Sequence, residues 1–263
     1  MSVSNRLDKA LMARGLVLSR SQAESFIKLG KVNVNGKTVT KPATLVLAGD
    51  ELKLKVTEQY VNRAALKLAS VAAALKLDFK GKVVLDVGSS TGGFTDYALK
   101  HGVSKVIAVD VGTDQMHPSL RNNLRIELHE KTDIRNVWPR QTEQRAMSNE
   151  ERAESMEQRI EIEKPDIVLI DVSFISLREI LPHCSRLTAQ NSLVVAMVKP
   201  QFEAGDSLKH KGVIKNDTMR RNILKDFETW VQKLFKVIDK ADSRVHGGKG
   251  NIERFYLLKP LNK

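Results

Sequence analysis

Cysteine, aromatic residues and long apolar runs are all scarce in this sequence, and each scarcity excludes a class of protein. The single cysteine, Cys184, cannot build an internal disulfide framework, which fits a reducing compartment. No apolar run approaches the length of about 18 residues that a membrane span needs, and the first residues carry charge where a signal peptide would be apolar. We therefore expect a cytoplasmic protein with no membrane segment.

Acidic residues are also in deficit. The chain has 43 Lys and Arg against 31 Asp and Glu, a formal net charge of +12. Such an excess attracts polyanions, and phosphate contacts dominate nucleic-acid affinity, although a solvated basic surface explains the charge equally well. Aromatic residues make up only 5%, so we expect recognition of nucleic-acid backbone and shape rather than stacking on several bases.

What the sequence does contain falls into two parts. We predict a small α+β domain over residues 1–57, a linker over 58–62 and a larger domain over 63–263. In the first part, two amphipathic stretches precede alternating residues around Asn35-Gly36, a pair that is typical of a tight hairpin turn. Ser19 or Ser21 can cap the second helix, and Gly30 can end it.

The amino-terminal part resembles a known module. The runs RLDKALMARG, SRSQAESFIKLGKVNVNGKTV and KPATLVLAGDEL look like the S-four-type RNA-binding domain of ribosomal and RNA-modifying proteins. The resemblance implies that four basic residues contact the RNA backbone: Arg6, Arg14, Arg20 and Lys31. It also implies that Asp8 is a structural residue that orients neighbouring arginines. We add Arg63, which follows the linker, to the predicted RNA contacts.

The larger part alternates strand-like and helix-like segments. Seven runs predict strands: 82–88, 105–111, 125–131, 166–174, 192–199, 235–242 and 253–259. Several are continuous apolar runs, as expected of strands that are covered by helices on both faces. The alternation predicts a doubly wound, Rossmann-like α/β fold with a seven-stranded sheet.

The first of these strands runs into the glycine-rich turn DVGSSTGGFT. Gly88, Gly92 and Gly93 allow a sharp turn and the close approach of a ligand at a helix N-terminus. Asp110 ends the next strand, where an acid can accept hydrogen bonds from ribose hydroxyls. The spacing departs from the G-x-G-x-x-G of dinucleotide folds and favours S-adenosylmethionine, which has no pyrophosphate, although such a turn is also a common strand-to-helix connection.

Four ionisable residues of alternating sign flank the predicted elements: Lys67, Asp171, Lys199 and Glu253. A ribose 2′-hydroxyl is a very weak acid, so its methylation needs a proton acceptor. A lysine can serve only when desolvation or a neighbouring cation lowers its pKa. Ordinary ion pairs would explain any one of the four residues, but together they predict a catalytic centre in which Lys199 accepts the proton. Asp171 and Glu253 are then its electrostatic partners, and Lys67 is the second cation.

The larger part also resembles a family of RNA methyltransferases. The stretches YVNRAALKL, VVLDVGSSTGGFTDYAL, VIAVDVGTDQM, IVLIDVSFISL, MVKPQFEAG, KGVIKND and GGKGNIERF are similar to FtsJ-like ribose 2′-O-methyltransferases, which use a Lys-Asp-Lys-Glu tetrad, and the whole chain is similar to the TlyA family. The resemblance implies that the four residues above form the tetrad. It implies S-adenosylmethionine contacts at Asp86, Gly88, Ser89, Gly92, Gly93, Phe94, Asp110, Val111 and Asp133. We predict no metal site, because no His or Cys cluster has ligand spacing.

Two stretches depart from the family pattern on the adenosine side of the predicted cofactor site. Thr113 and Asp114 stand where the family usually has an aromatic residue and Gly, and residues 133–135 are Asp-Ile-Arg instead of Asn-Ala-Arg.

The segment 140–163 is longer than the link expected there and is poor in apolar residues, which predicts an exposed helix or a disordered excursion.

The resemblance implies 2′-O-methylation of a cytidine ribose in ribosomal RNA of the large subunit, or of both subunits, by a monomer that binds ribosomal subunits and no membrane. A non-catalytic RNA-binding assembly factor that retains a cofactor fold is the first alternative, and the four charged residues argue against it. A secreted haemolysin is the second alternative. The lack of a signal peptide and of a long amphipathic segment disfavours it.

Overall fold

The amino-terminal part consists of two helices and short antiparallel strands. The computed structural model describes residues 4–55, 60–140, 159–205, 212–247 and 249–261. The elements of the first part are β1 (Asn5–Arg6), α1 (Leu7–Ala13), α2 (Arg20–Lys28), β2 (Val32–Val34), β3 (Lys37–Thr38), β4 (Leu45–Val46) and β5 (Leu52–Leu54). β1 pairs with β4, and β2 lies between β3 and β5.

Local sequence signals determine where these elements begin and end. The hydroxyl of Ser19 accepts a hydrogen bond from Gln22 N–H at 3.2 Å and so caps α2, as predicted. Gly30 follows α2 with a φ of 67°. Asn35 and Gly36 have φ values of 47° and 79°, and these left-handed conformations make the tight turn between β2 and β3 that the Asn-Gly pair predicts.

A buried carboxylate, Asp8, fastens α1 to its surroundings. It accepts hydrogen bonds from Nε and Nη2 of Arg6, each at 3.0 Å, and from Nε of Arg20 at 2.7 Å. Burial alone would raise the pKa of Asp8, but the two guanidinium groups outweigh that effect and hold the pKa at about 2. Asp8 therefore orients both arginines, as predicted.

The larger part is built on a seven-stranded sheet. Its elements are α3 (Ala64–Ala72), β6 (Val83–Val87), α4 (Gly93–Lys100), β7 (Lys105–Val109), α5 (Pro118–Arg121), β8 (Ile126–His129), β9 (Val137–Pro139), β10 (Ile160–Ile162), β11 (Ile167–Ile170), α6 (Leu177–Leu187), β12 (Leu193–Val198), α7 (Pro200–Glu203), α8 (Asp217–Val231), β13 (Phe235–Asp242) and β14 (Arg254–Pro260). The sheet order is β13-β14-β12-β11-β6-β7-β8. Each of these strands overlaps one of the seven predicted strands, and the predicted α/β class is confirmed.

Alternate residues of the sheet face two separate apolar cores. In β6, Val84 belongs to the core that also contains residues of α3 and α4, whereas Leu85 and Val87 belong to the core with residues of α6 and α8. The central strands are continuous apolar runs because both of their faces are buried. Among the helices that the structure describes, none is both long enough and apolar enough to cross a membrane.

One strand pairing was not predicted. β9 and β10 form a short parallel pair, with Ile160 opposite Val137. The end of the segment 140–163 is therefore a strand, where we expected an exposed helix or disorder. A three-residue strand is too short to show a period, which is why the sequence pattern missed it. Residues 141–158, to which most of that expectation applies, lie outside the described residues, and the domain limits at 57 and 63 stay a prediction.

Replacing Asp8 with Asn should weaken α1 and α2 in a pH-dependent way. The folded pKa lies below the usual 3.8, so the carboxylate contributes stability that is present above about pH 4 and is lost as the pH falls towards 2. We expect a loss of about 1 kcal/mol at pH 7, after allowing for solvent screening around the partly exposed arginines, and a smaller loss at pH 3. Amide hydrogen exchange in α1 and α2 measures both values.

The exposed pair between Glu51 and Lys53 provides the control for this experiment. Glu51→Gln should leave the exchange rates unchanged at both pH values, because an exposed pair contributes little to stability. An Asp8→Asn loss of equal size at pH 7 and pH 3 would contradict the charge-based explanation.

Candidate active site

Asp171 and Lys199 lie at the carboxyl edge of the sheet because their strands are parallel neighbours. β11 pairs with β6 and with β12, and Ile170 lies opposite Val87 and Ala196. Asp171 follows β11 directly, and Lys199 follows β12 directly. Both residues therefore occupy the edge where ligands of open α/β sheets bind.

Glu253 reaches the same edge because the last strand runs in the opposite direction. β14 is antiparallel to β12, and Arg254 lies opposite Val198. The residue that precedes β14 is therefore beside the residue that follows β12, which brings Glu253 to the level of Lys199. A parallel last strand would have placed Glu253 at the other edge of the sheet.

The four predicted catalytic side chains form two buried ion pairs. Nζ of Lys199 lies 2.6 Å from Oδ1 of Asp171, and Nζ of Lys67, on α3, lies 2.7 Å from Oε2 of Glu253. Both lysine side chains are only 9% exposed. We expected both carboxylates to partner Lys199, but each carboxylate pairs with a different lysine. At this degree of burial each charge depends on its partner, because an unpaired buried charge costs several kcal/mol.

Lys67, Asp171 and Lys199 line one cavity of about 230 Å³. A neighbouring cleft of about 480 Å³ contains Asp110 and Asp133. Four residues line both spaces: Gly88, Ser90, Asp171 and Ser173. The two spaces are therefore contiguous, and a molecule bound in the cleft can present a group to the cavity that holds the lysines.

The glycine-rich turn between β6 and α4 has no room for side chains at its glycines. Gly88 has a φ of 79°, and a Cβ atom there would lie 2.8 Å from the carbonyl oxygen of Asp171. Gly92 has a φ of 87°, and a Cβ atom at Gly93 would collide with the side chain of Asn62. The backbone of the turn thus lies close against its neighbours and forms a narrow cradle at the start of α4.

Two buried polar atoms of this turn have no hydrogen-bond partner among the described residues: Oδ1 of Asp86 and Oγ of Ser89. The other Asp86 oxygen accepts a hydrogen bond from Oγ1 of Thr95 at 2.7 Å. Burial raises the pKa of Asp86 to about 7, and the nearby charge of Asp171 adds to the effect. Buried polar atoms are almost always satisfied, so these two atoms fit a polar ligand such as the amino-acid end of S-adenosylmethionine.

Asp110 and Asp133 border the wider cleft, as the cofactor prediction requires. Asp110 accepts a hydrogen bond from the backbone N–H of Ser90 at 2.8 Å, which ties the glycine-rich turn to the end of β7. Asp133 accepts hydrogen bonds from the Arg135 guanidinium at 2.9 and 2.6 Å, and that partner holds the pKa of Asp133 below its usual range. Val111 is 70% exposed beside them. At 133–135, where the sequence departs from the family pattern, Asp133 and Arg135 therefore form an ion pair on this side of the cleft.

Phe94, another predicted cofactor contact, belongs to the apolar core as well as to the cavity wall. It is 2% exposed, and its ring centroid lies 6.0 Å from that of Phe255. Phe94 thus joins the start of α4 to β14, the strand that Glu253 precedes.

All five predicted RNA contacts lie at least partly at the surface. Arg6 and Arg20 are held by Asp8, yet their side chains remain 39% and 47% exposed. Lys31 is exposed after α2, and Arg63 is half-buried at the start of α3. These positions are compatible with phosphate contacts.

Arg14 has a different role. Its guanidinium donates hydrogen bonds to the backbone carbonyls of Leu47, Ala48 and Asp50 at 3.1, 3.0 and 2.6 Å. These bonds fasten the turn before β5 to the end of α1. The positive charge of Arg14 is therefore engaged in holding the fold of the amino-terminal part.

The structure adds residues to the site that the sequence did not indicate. Oγ of Ser173 accepts a hydrogen bond from Nζ of Lys199 at 2.8 Å. Phe174 is 92% exposed with a φ of 68°, and its ring centroid lies 5.3 Å from that of Phe202. Asn62 bonds to the hydroxyl of Thr91 in the glycine-rich turn. Among these added residues, only Phe174 has a left-handed backbone conformation, and its residue type does not predict one.

Replacing Asp86 with Asn should remove a pH dependence of stability. The folded pKa of about 7 lies above the usual 3.8, so the ionised form is disfavoured in the fold. We expect the contribution of Asp86 to the free energy of unfolding to fall as the pH rises from about 4 to 7, by up to about 1.4 kcal/mol per pH unit. Urea titrations at several pH values should show this contribution as the difference between the wild type and Asp86→Asn.

Asp239, an exposed residue of β13, provides the matched control. Asp239→Asn should keep the wild-type dependence on pH. The same slope in Asp86→Asn as in the wild type would show that Asp86 is ionised in the fold across this range.

Comparisons with known proteins agree with this geometry. The model of the FtsJ-like methyltransferase family matches residues 60–259, and the model of the S4 domain matches residues 5–52. The first match covers most of the chain, including all four residues of the two ion pairs.

Relatives with the same arrangement match nearly the whole chain. Hemolysin A of Brachyspira hyodysenteriae is 35% identical over 251 residues, which cover 94% of this chain and 97% of that protein. The 16S/23S rRNA (cytidine-2′-O)-methyltransferase TlyA of Mycobacterium tuberculosis is 33% identical over 258 residues, which cover 97% of this chain and 89% of that protein. A solved structure from Streptococcus thermophilus, described as a candidate hemolysin, has a TM-score of 0.67 at 33% identity and covers 100% of this chain and 90% of that one. With an S4 domain in front of a methyltransferase domain and this similarity over nearly its whole length, the chain belongs to the TlyA family of FtsJ-like methyltransferases.

Proposed function

We propose that this protein methylates the 2′-hydroxyl of a cytidine ribose in large-subunit ribosomal RNA, with S-adenosylmethionine as the methyl donor. One observation carries the proposal: the lysines of two buried lysine–carboxylate pairs line a cavity that is contiguous with the cleft of Asp110 and Asp133. A hydroxyl acceptor needs a proton acceptor beside it, and a methyl donor needs a separate cradle next to that acceptor. The two contiguous spaces meet both needs.

Lys199 is the proton acceptor in this mechanism. Its side chain lines the cavity, and its Nζ lies 2.6 Å from Oδ1 of Asp171. The ribose hydroxyl binds in the cavity, and its proton passes to the neutral amine of Lys199 as the new C–O bond forms. Lys67, whose charge is balanced by Glu253, lies on the same cavity and holds the substrate oxygen in place. The low exposure of both pairs keeps water away from the reacting oxygen.

The residues of the cleft and of the adjoining cavity fit S-adenosylmethionine. The unsatisfied atoms of Asp86 and Ser89, which line the cavity, suit its amino and carboxyl groups, and Asp110 in the cleft lies where ribose hydroxyls would need an acceptor. Asp133 and Val111 lie on the adenosine side. When bound, the donor supplies an electrophilic methyl group on a sulfonium centre and keeps the electron pair of the broken C–S bond.

The amino-terminal domain supplies RNA affinity. Arg6 and Arg20 are fixed in direction by a buried carboxylate but remain open to solvent, which suits bidentate contacts with phosphate. A net charge of +12 adds attraction to a large RNA particle. The name of the Mycobacterium tuberculosis relative, an rRNA (cytidine-2′-O)-methyltransferase, supports ribosomal RNA and cytidine as the targets.

The substrate proposal is tested on ribosomal RNA itself. Mass spectrometry of RNA from cells with and without the gene should show the loss of one 2′-O-methylcytidine from the large subunit in the deletion strain. A second lost site in the small subunit would extend the substrate to both subunits. The absence of any lost 2′-O-methyl group would reject the proposal, and lysis of red cells by the purified protein would favour the hemolysin description of two relatives.

Lys199→Met should abolish methyl transfer while leaving the cofactor site intact. Methionine keeps much of the length of the lysine side chain but cannot accept a proton. We expect the single-turnover rate to fall by at least about 100-fold, the usual contribution of a general base. The dissociation constant of S-adenosylmethionine, measured by calorimetry, should stay within about threefold. A variant with wild-type turnover would contradict the role of Lys199, and so would equal losses of binding and rate.

Arg20→Ala should lose RNA affinity, whereas Arg14→Ala should lose local stability. Arg20 is open to solvent, so its removal should weaken RNA binding and reduce the slope of log affinity against log salt by about 1. Because Arg20 also partners Asp8, faster amide exchange in this variant should be confined to α1 and α2. Arg14 is bonded to three backbone carbonyls, so its removal should speed amide exchange near β5 and leave the salt slope almost unchanged. Filter binding at several salt concentrations and hydrogen exchange separate the two effects. A reversed pattern would contradict this assignment.

A further inference from the structure

The loops that follow β11 and β12 are bonded to each other at two places. At the first, Nζ of Lys199 contacts Oδ1 of Asp171 at 2.6 Å and donates a hydrogen bond to Oγ of Ser173 at 2.8 Å. At the second, the carboxylate of Glu203 accepts hydrogen bonds from Oγ of Ser176 at 2.7 Å and from the N–H of Leu177 at 2.8 Å. The two loops are therefore held together on both sides of Ser173.

The contacts of Nζ determine which direction of the nitrogen remains open. Ser173 accepts a directed hydrogen bond from Nζ, whereas Oδ1 of Asp171, 2.6 Å from Nζ, receives no directed hydrogen bond. A neutral amine has two N–H donors and one lone pair. When Ser173 holds one donor and the other faces the carboxylate, the lone pair occupies the remaining tetrahedral direction. Lys199 lines the cavity, so that direction is the one available to a bound hydroxyl.

We propose that Ser173 is a positioning residue, which engages one N–H of Lys199 in a directed hydrogen bond and so aims the lone pair of the amine at the ribose hydroxyl. The contact with Asp171 is close but undirected, so alone it leaves the amine free to rotate about the Cε–Nζ bond. In the rotated states an N–H, and not the lone pair, faces the substrate. Ser173 removes those states by holding one donor in place.

The position of Ser173 suits this role and makes it testable. Ser173 is exposed, so replacing its hydroxyl leaves no hole in the core. It lines both the lysine cavity and the adjoining cleft, at the place where donor and acceptor must meet. Water can replace its hydrogen bond in the free protein, whereas bound RNA covers the site. The effect should therefore appear in the chemical step and not in binding.

The inference rests on the proposed role of Lys199, so the experiment measures the rate of methylation separately from binding. Single-turnover methylation of large ribosomal subunits from the deletion strain gives the rate at saturating substrate and the half-saturating subunit concentration. Calorimetry gives the dissociation constant of S-adenosylmethionine. For Ser173→Ala we expect the rate to fall about 10-fold, since misplacing a reacting group costs up to about 100-fold. The two binding constants should stay within about twofold.

Ser173→Thr and Ser176→Ala are the matched variants. Ser173→Thr restores a hydroxyl at the same place and should recover most of the rate. Ser176→Ala removes a hydroxyl from the same loop that bonds to Glu203 and not to Lys199, and it should keep at least half of the wild-type rate. Ser173→Ala with the wild-type rate would overturn the inference, as would a loss of equal size in Ser176→Ala or no recovery in Ser173→Thr.

Lys199→Met distinguishes a failure of the role of Ser173 from a failure of the proposed mechanism. If Lys199→Met is inactive and Ser173→Ala is fully active, only the role of Ser173 is rejected. If Lys199→Met methylates at the wild-type rate, Lys199 is not the acceptor, and the proposed mechanism is rejected together with the inference.

Discussion

The antiparallel pairing of β14 with β12 is the constraint on which the site depends. Parallel strands deliver the residues that follow them to one edge of a sheet, which accounts for Asp171 and Lys199. Only a reversed strand can deliver the residue that precedes it to that edge, and Glu253 is such a residue. The same strand carries Phe255, whose ring packs near that of Phe94 at the start of α4. The direction of one strand thus joins the lysine cavity to the glycine-rich turn.

A carboxylate beside each buried lysine offsets the free-energy cost of removing that lysine from water. A lysine that is 9% exposed loses most of its hydration, and a carboxylate at hydrogen-bond distance replaces it. Helix α3 supplies Lys67 and the sheet edge supplies the other three groups, so the Lys67–Glu253 pair also fastens α3 to the sheet edge. The pairs hold the site together mechanically and keep each charge at a fixed place.

Much of this arrangement could be predicted from the sequence, and the failures have physical causes. The seven strands were visible as apolar runs, and the four charged residues were visible because they flank those runs. The predicted partner of Glu253 was wrong. The position of α3, which carries Lys67, depends on packing between distant segments, and no local sequence pattern shows that packing. Arg14 looked like its basic neighbours, since charge does not reveal which carbonyls a guanidinium can reach. Ser173 and Phe174 were missed for a related reason: their importance lies in a loop conformation.

The pairing of each lysine with a carboxylate also separates the capture of RNA from the reaction. While both lysines are protonated, the two pairs add no net charge to the cavity, so the excess of positive charge arises from residues outside them. Fields between exposed charges decay over about 8 Å at physiological ionic strength, whereas buried pairs are screened far less. Salt thereby governs how long the RNA stays on the protein. The reacting hydroxyl meets almost the same local field whatever ions surround the particle.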